Sequence, residues 1–321
     1  MSTLSSITLD RQSTMNKLNT LDTLITRFKN QKPIRASSLV ITLYGDTIEP
    51  HGGTVWLGSL IKLLEPMGIN ERLMRTTIFR LTQDGWLTNE KVGRKSYYSL
   101  TGSGRRKFEQ AFRRVYTPYQ TVWDGSWCLI MTHTLNADER KQLLDELNWQ
   151  GFTVLTGHLI GSPNATLSDV NTVLASLGLQ NKVITFQTHQ QEELAGVQVR
   201  TLAKDSWELD KLGAHYQDFI DLFRPVWQEL SEKDQIDPES SFLTRTLLIH
   251  EFRKRLLRDP QLPEELLPGD WEGRAARQLC RNIYRKVSPA AEQWLAQNLE
   301  SANGPLPDAS QAFYRRFGGL D

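Results

Sequence analysis

Two groups of cations carry the most chemical content in this 321-residue chain. Between Asn70 and Asp84, Arg72, Arg75, Thr76, Phe79 and Gln83 recur at three- and four-residue spacing with Arg80 at their margin, while Leu73, Met74, Thr77, Ile78 and Leu81 take the opposite side. A little further on, Lys91, Arg94 and Lys95 surround Gly93. Guanidinium and ammonium groups in this pattern make and break no bonds. They suit recognition of a polyanion, because Arg forks match phosphates and base edges and a helix start adds free N–H groups.

Residues for covalent chemistry are sparse. The six His are scattered without a ligand spacing such as HExxH. Cys128 and Cys280 lie far apart with no CxxC, which excludes a disulfide framework and a Cys-based zinc site. Gly102-Ser-Gly104 lacks the third glycine and the preceding strand of a dinucleotide fingerprint, and neither a Walker A nor a Gly-x-Ser-x-Gly sequence occurs. The catalytic candidate is Asp124, just before an apolar run: paired with a second Asp it can hold a metal for phosphodiester cleavage, whereas a turn role beside Trp123 needs neither. The expectation is therefore a protein with no catalytic residue, no metal and no cofactor.

The cations need a scaffold. Asn70 caps their helix and Asp84-Gly85 ends it. Before it, Arg35–Tyr44 reads as a helix stopped by Gly45-Asp46, and Trp56–Leu64 as a second, ended by Pro66-Met67-Gly68. After it, Trp86–Glu90 and Ser96–Leu100 read as strands flanking the cationic tip, and residues 102–115, with Arg105, Arg106, Lys107, Arg113 and Arg114, as a connecting helix. Helix, turn, helix and basic hairpin is the winged helix-turn-helix order. Within it Arg72 and Arg75 are the base-edge candidates. Thr76, Thr77, Arg80, Lys91, Arg94 and Lys95 would position phosphate or support the helix, and Trp56, Trp86 and Leu81 would form its core.

Beyond Trp123 the pattern changes to strand (127–131), helix (138–149), strand (152–156), helix (167–177) and strand (182–186), with Ser162-Pro163-Asn164 as a loop. This predicts a ferredoxin-like α+β domain. From residue 205 the pattern is helical (206–230, 242–258, 271–286 and 289–299), crossed by the Pro260, Pro263 and Pro268 stretch. The expected class is α+β multidomain: an N-terminal extension (1–30), a winged helix with its connecting helix (31–117), a ferredoxin-like domain (118–204) and a mainly helical C-terminal domain (205–321). Net charge supports a division of labour. Residues 1–120 hold 18 Lys and Arg against 9 Asp and Glu, and the rest 20 against 28, a basic head on an acidic body. No apolar run approaches the ~18 residues of a membrane span and no signal peptide opens the chain, so a cytoplasmic protein is expected.

These residues also resemble a known family. Leu43-Tyr-Gly-Asp46, Gly52-Gly53 with Trp56, Arg75-Thr-Thr-Ile-Phe-Arg-Leu81, Asp84-Gly-Trp-Leu87, Gly93-Arg94 and Tyr98-Ser-Leu-Thr101 in the head, with Trp123-Asp124, Trp127, Arg258-Asp-Pro260, Leu262-Pro263, Leu267-Pro268 and Asp270-Trp-Glu-Gly273 in the body, are similar to the PaaX family. The likeness spans residues 16 to 300. It implies a dimeric repressor of phenylacetate-degradation operons, comparable with GntR-type regulators, that binds double-stranded operator DNA and is released by phenylacetyl-coenzyme A. Two departures stand out: Met1–Thr14 precede the usual start, leaving Met1 and Met15 as alternatives, and Lys95 stands where the family often has Arg. For the effector, body Trp residues with Arg253, Lys254, Arg274 and Arg277 are pocket candidates, although helix packing and solvation account for each singly, so no ligand residue is assigned. Two other readings stay open, a metal-dependent nuclease built on Asp124 and a non-specific architectural DNA-binding protein.

Overall fold

The computed structural model describes residues 18–117, 122–189, 196–301 and 304–320. Both candidate starts, Met1 and Met15, lie outside them.

Residues 19–29, expected in an extension, instead form helix α1 (Asn19–Lys29), because Leu18, Leu21, Leu24 and Phe28 make one apolar, buried face. Its first amides are capped from afar: Asn19 and Thr20 donate to the Glu229 carboxylate at 2.8 and 3.0 Å. Helix α2 (Ala36–Leu43) does not stop at Gly45-Asp46 as the sequence suggests. It winds on through a π turn at Tyr44–Ile48 and a 3-10 turn at Glu49–His51, and ends where Gly52 turns left-handed at φ +92. Strand β1 (Thr54–Trp56), α3 (Leu57–Leu64) and α4 (Glu71–Gln83) follow.

The hairpin strands run further than expected, β2 as Leu87–Val92 and β3 as Lys95–Leu100, leaving Gly93-Arg94 as a two-residue turn. Gly93 at φ +62 supplies the positive φ that the first position of a type II′ turn demands. β3 lies between β1 and β2, all antiparallel. Helix α5 (Gly102–Tyr116) packs close behind, since a Cβ on Gly104 would sit 2.5 Å from the Trp86 carbonyl oxygen. This glycine serves packing.

Next come β4 (Ser126–Met131), α6 (Ala137–Leu147), β5 (Thr153–Thr156), β6 (Leu159–Ser162), α7 (Leu167–Leu177), β7 (Ile184–His189) and α8 (Gly196–Ser206). The chain continues with α9 (Leu209–Ser231), α10 (Pro238–Leu256), α11 (Glu272–Asn298), the short pair β8 (Glu300–Ser301) and β9 (Gly304–Pro305), and α12 (Gln311–Tyr314). Two helices expected at 271–286 and 289–299 are one. Pro289 sits inside α11 because Ile283, Tyr284, Val287, Ala291 and Leu295 form an unbroken buried face that outweighs the lost backbone bond, while the Ser288 hydroxyl donates to the Tyr284 carbonyl at 2.7 Å.

The protein is an α+β multidomain chain with two compact units, one of Met1–Pro118, Asp218–Leu256 and Arg274–Asp321, the other of Tyr119–Gln217 and Leu257–Gly273. Residues 218–256 and 274–321 thus share the first unit with the N-terminal third. The reason lies in α10, where every residue from Ser240 to Phe252 is buried, so no single face can be presented to solvent. Helices α1, α2 and α5 of the N-terminal third surround it. In the second unit the sheet order is β5-β6-β4-β7, every pair antiparallel, and Leu143, Leu147, Val170 and Leu174 of α6 and α7 pack on Cys128, Ile130 and Ile160. Capping boxes at Asn136 and Thr166 start the two helices. Strand β6, unforeseen in the sequence, completes this sheet at the segment read as running into a loop.

Candidate nucleic-acid interface

Helix α4 begins as its sequence demands: the Asn70 side chain accepts from the Leu73 amide at 2.9 Å. Met74, Thr77, Ile78 and Leu81 are buried, which leaves Arg72, Arg75, Thr76, Phe79, Arg80 and Gln83 exposed on the other side. Phe79 is 64% exposed, unusual for a large apolar ring and consistent with a face awaiting a partner. The Thr76 hydroxyl donates to the Arg72 carbonyl at 3.0 Å, so its methyl is left outward for apolar contact. Thr77 is buried, 4% exposed, on the side of α4 away from the Arg72, Thr76 and Phe79 face, so of the two roles it supports the helix.

Arg75 is paired along the helix with the residue four positions before it. Its Nε and Nη2 both donate to Glu71 Oε1, at 2.9 and 2.7 Å, with both side chains 60% exposed. An exposed i,i+4 pair is worth only ~0.3–0.5 kcal/mol. Glu71 therefore orients the fork without committing it.

At the hairpin, Lys91 and Arg94 are exposed, and Lys95 carries an ion-pair partner. Its Nζ donates to both Glu300 oxygens at 2.6 and 2.8 Å and lies 4.4 Å over the Trp56 ring. The Glu300 hydrogen bond raises the Lys95 pKa, and the Lys95 bond lowers that of Glu300. Among the described residues, Lys91 and Arg94 have no ion-pair partner, whereas Lys95 has Glu300. Trp56 and Trp86, expected as core, are half-buried. Glu300 comes from β8, a segment without helical or strand periodicity, so nothing near Lys95 in the sequence announces it.

The head is anchored by a buried ionic node centred on Asp46, 1% exposed. Tyr116 and Tyr284 donate to its Oδ1 at 2.6 and 2.8 Å, and Arg316 Nη1 is 3.3 Å from the same oxygen. Arg316 also donates to the carbonyls of Gly45 (2.9 Å) and Asp46 (2.8 Å), which explains why α2 continues as a π turn here. Arg245, 0% exposed, sets its Nε 3.0 Å from Asp46 Oδ2 and donates Nη1 to Glu292 at 2.6 Å. His51 closes the chain, with Nε2 2.8 Å from Glu292 and Nδ1 2.6 Å from the Thr47 carbonyl. Burial opposes the Arg245 charge, yet Asp46 and Glu292 hold its pKa above the ordinary value. Burial likewise opposes the Glu292 charge, and Arg245 with His51 brings its pKa down to about 2. Burial first, then Asp46, keeps the Tyr116 and Tyr284 phenols protonated as donors. Such a node does no chemistry; it fixes the head on α10, α11 and the C-terminal segment.

Of the cations considered for an effector, Arg253 is committed to the Ser38 carbonyl (3.2 Å) and the Thr42 hydroxyl (2.8 Å), and burial lowers its pKa. Arg277 donates to the Arg114 and Thr117 carbonyls at 3.1 and 3.2 Å, capping the end of α5. Arg274 is exposed in the first turn of α11. Lys254 pairs with Glu251 at 3.1 Å beside a cleft. Next to Arg253, His250 is buried with Nδ1 3.4 Å from the Thr42 hydroxyl and its ring edge-on to Phe28, and burial pushes its pKa down to about 3.

In the second unit, Asp124 accepts from the Ser126 amide at 2.9 Å, and hydrogen bonding from Ser126 lowers its pKa. This is the turn role the sequence offers it. Among the described residues no group of three or more His, Cys, Asp or Glu is placed to hold a metal, and no helix is long and apolar enough to cross a membrane.

Comparison with known proteins gives three family matches in chain order: PaaX-like protein over residues 35–104, PaaX protein central Cas2-like domain over 120–199, and PaaX-like protein C-terminal domain over 207–297. The transcriptional repressor PaaX of Escherichia coli (strain K12) is 41% identical over 309 residues, spanning 95% of this chain and 96% of that protein. Among solved structures, the uncharacterized protein Rv0674 from Mycobacterium tuberculosis is 20% identical over 74% of this chain and 89% of its own, with a TM-score of 0.47.

Proposed function

This chain belongs to the PaaX family, and from that premise we propose that it is a ligand-responsive transcriptional repressor. It binds operator DNA of phenylacetate-catabolism genes as a homodimer and is released by phenylacetyl-coenzyme A. It is not an enzyme, needs no cofactor or metal, and works in the cytoplasm, where its operator lies. The observation that carries the reading is the exposed face of α4, where Arg72, Thr76, Phe79 and Arg80 stand on an Asn70-capped helix beside the Lys91 and Arg94 hairpin, in a chain so similar to a repressor.

On this reading residues 31–117 act as a winged helix-turn-helix and β4–β7 with α6 and α7 as a ferredoxin-like module, for which the strand–helix–strand–strand–helix–strand order and the central place of β4 and β6 speak. Two α4 helices enter neighbouring major grooves of a palindromic site, about one helical turn apart. Arg72 and Arg75 reach base edges, with Arg75 exchanging Glu71 for a guanine. Thr76, Arg80, Lys91 and Arg94 meet backbone.

The test is fluorescence anisotropy on labelled duplex from the protein's own upstream region at fixed salt, titrated with phenylacetyl-coenzyme A, phenylacetate and acetyl-coenzyme A. Release by the first alone is expected. Specific binding indifferent to all three refutes the effector, and equal affinity for random duplex points instead to a non-specific architectural protein.

A further inference from the structure

Beside the α4 face lies a cleft of about 810 Å³ whose wall carries Arg27, Lys32, Arg35, Arg80, Lys254 and Arg255. Its one lining carboxylate, Glu251, is shared by Lys254 and Arg255. Among the described residues, Arg27, Lys32, Arg35 and Arg80 have no acidic partner within ion-pair distance. Like charges held around one concavity repel, so this arrangement raises the energy of the empty cleft and favours an anion within it. One further feature fits. Ser37 and Ser38, in the first turn of α2, line the cleft, and that helix start has no side-chain cap.

The volume is that of a small-molecule site, and the wall is concave, formed by the α1–α2 connection, one flank of α4 and the end of α10. Leu73 and Thr77 of that flank lie about a third of a turn around α4 from the Arg72, Thr76 and Phe79 face. A duplex meeting that face would run past the cleft, which suits a compact polyanion better than a continuous backbone. Arg80 alone belongs to both, being in the cleft wall and at the margin of the exposed face.

We propose that this cleft binds the phosphate-bearing end of a small polyphosphate ligand, and that Arg80 links its occupancy to DNA release. Identifying the ligand as the coenzyme A end of an acyl thioester rests on the effector reading above; the polyphosphate class rests on the cleft. Occupancy draws Arg80 toward the ligand phosphates and away from DNA backbone, so ligand and operator oppose each other by the same factor in both directions.

The test uses the full chain without DNA. Equilibrium dialysis measures coenzyme A, phenylacetyl-coenzyme A and inorganic pyrophosphate against wild type, Lys32→Gln and the triple variant Arg27→Gln, Lys32→Gln, Arg35→Gln. These side chains are exposed, and a thermal melt verifies folding. Saturable coenzyme A binding that weakens about tenfold or more in the triple variant, and partway in Lys32→Gln, is expected, as is operator affinity without ligand within about twofold of wild type. Pyrophosphate binding as tight as coenzyme A assigns the cleft to free phosphate in place of a nucleotide. Absence of saturable binding, or binding equal in wild type and triple variant, overturns the proposal. So does a triple variant that loses operator affinity with a shallower salt dependence, because DNA would then occupy the cleft. Cleft-dependent binding in a protein that phenylacetyl-coenzyme A fails to release supports the cleft while refuting the effector reading.

Discussion

Arg245 and Arg316 around Asp46, and Arg72 and Arg80 on α4, are the same kind of residue in opposite conditions. The first pair is buried with carboxylate, phenol and carbonyl partners at 2.6 to 3.3 Å. The second is exposed, with no acidic partner among the described residues. A buried arginine whose partners are fixed is spent on architecture, since any movement leaves charge unpaired in a low dielectric. An exposed one without a partner costs the fold nothing to redirect. What separates scaffold from interface here is burial of the paired charge: the Arg75–Glu71 pair, exposed on both sides, can be redirected, whereas the Arg245 and Arg316 pairs with Asp46 cannot.

The sharpest way to break this contrast is to remove one buried partner. Arg245→Met removes the cation shared by Asp46 and Glu292, leaving Asp46 to Arg316 and Glu292 to His51, and should destabilise the protein by about 3–5 kcal/mol in a denaturant titration. A loss below ~1 kcal/mol would place Arg245 outside the scaffold. A pH titration probes the same core. His250 gains its proton near pH 6.5 when unfolded but only near about 3 in the fold. Between those values the unfolded chain holds the extra proton, so stability is intact above pH 6.5 and falls as pH drops toward 3, by up to ~1.4 kcal/mol per unit. Glu292, whose pKa is lowered to about 2, adds a loss that begins below its unfolded value. His250→Gln should flatten the upper part of the curve, and an unchanged slope would assign it to other groups.

On the exposed side the effects move from stability to binding. Arg75→Ala should leave the melting transition where it is and cost ~1–3 kcal/mol at the operator, relaxing specificity at one base position. At the hairpin, Lys91→Ala should lower the salt slope of DNA binding by about one while Lys95→Ala leaves it unaltered, because the Lys95 charge is already matched by Glu300. Equal slope changes would return Lys95 to the interface.

How much of this was written in the sequence depends on the range of the interactions. Asn70, the periodicity of α4 and Gly93 act within a few residues, and local spacing located the helix, its cap and the hairpin correctly. The node escaped, because Asp46 beside Gly45 has the look of a helix stop, and its partners Tyr116, Arg245, Tyr284 and Arg316 lie 70 to 270 residues away. Arg245 left one trace, a cation inside the apolar run of α10, which marks a buried pair more often than a ligand. The same long range hid Glu300 and joined residues 218–256 and 274–321 to the head unit, since the buried α10 needs α1, α2 and α5 around it. β6 and the continuity of α11 past Pro289 were likewise decided by packing over local preference.

The measurement that bears most directly on the central claim is competition anisotropy with wild type and Arg75→Ala, operator duplex against random duplex, across a salt series. Wild type should prefer the operator at every salt concentration, and Arg75→Ala should narrow that preference while keeping the wild-type affinity for random duplex. Equal affinity of wild type for both duplexes, or a uniform loss on both in Arg75→Ala, would contradict the claim.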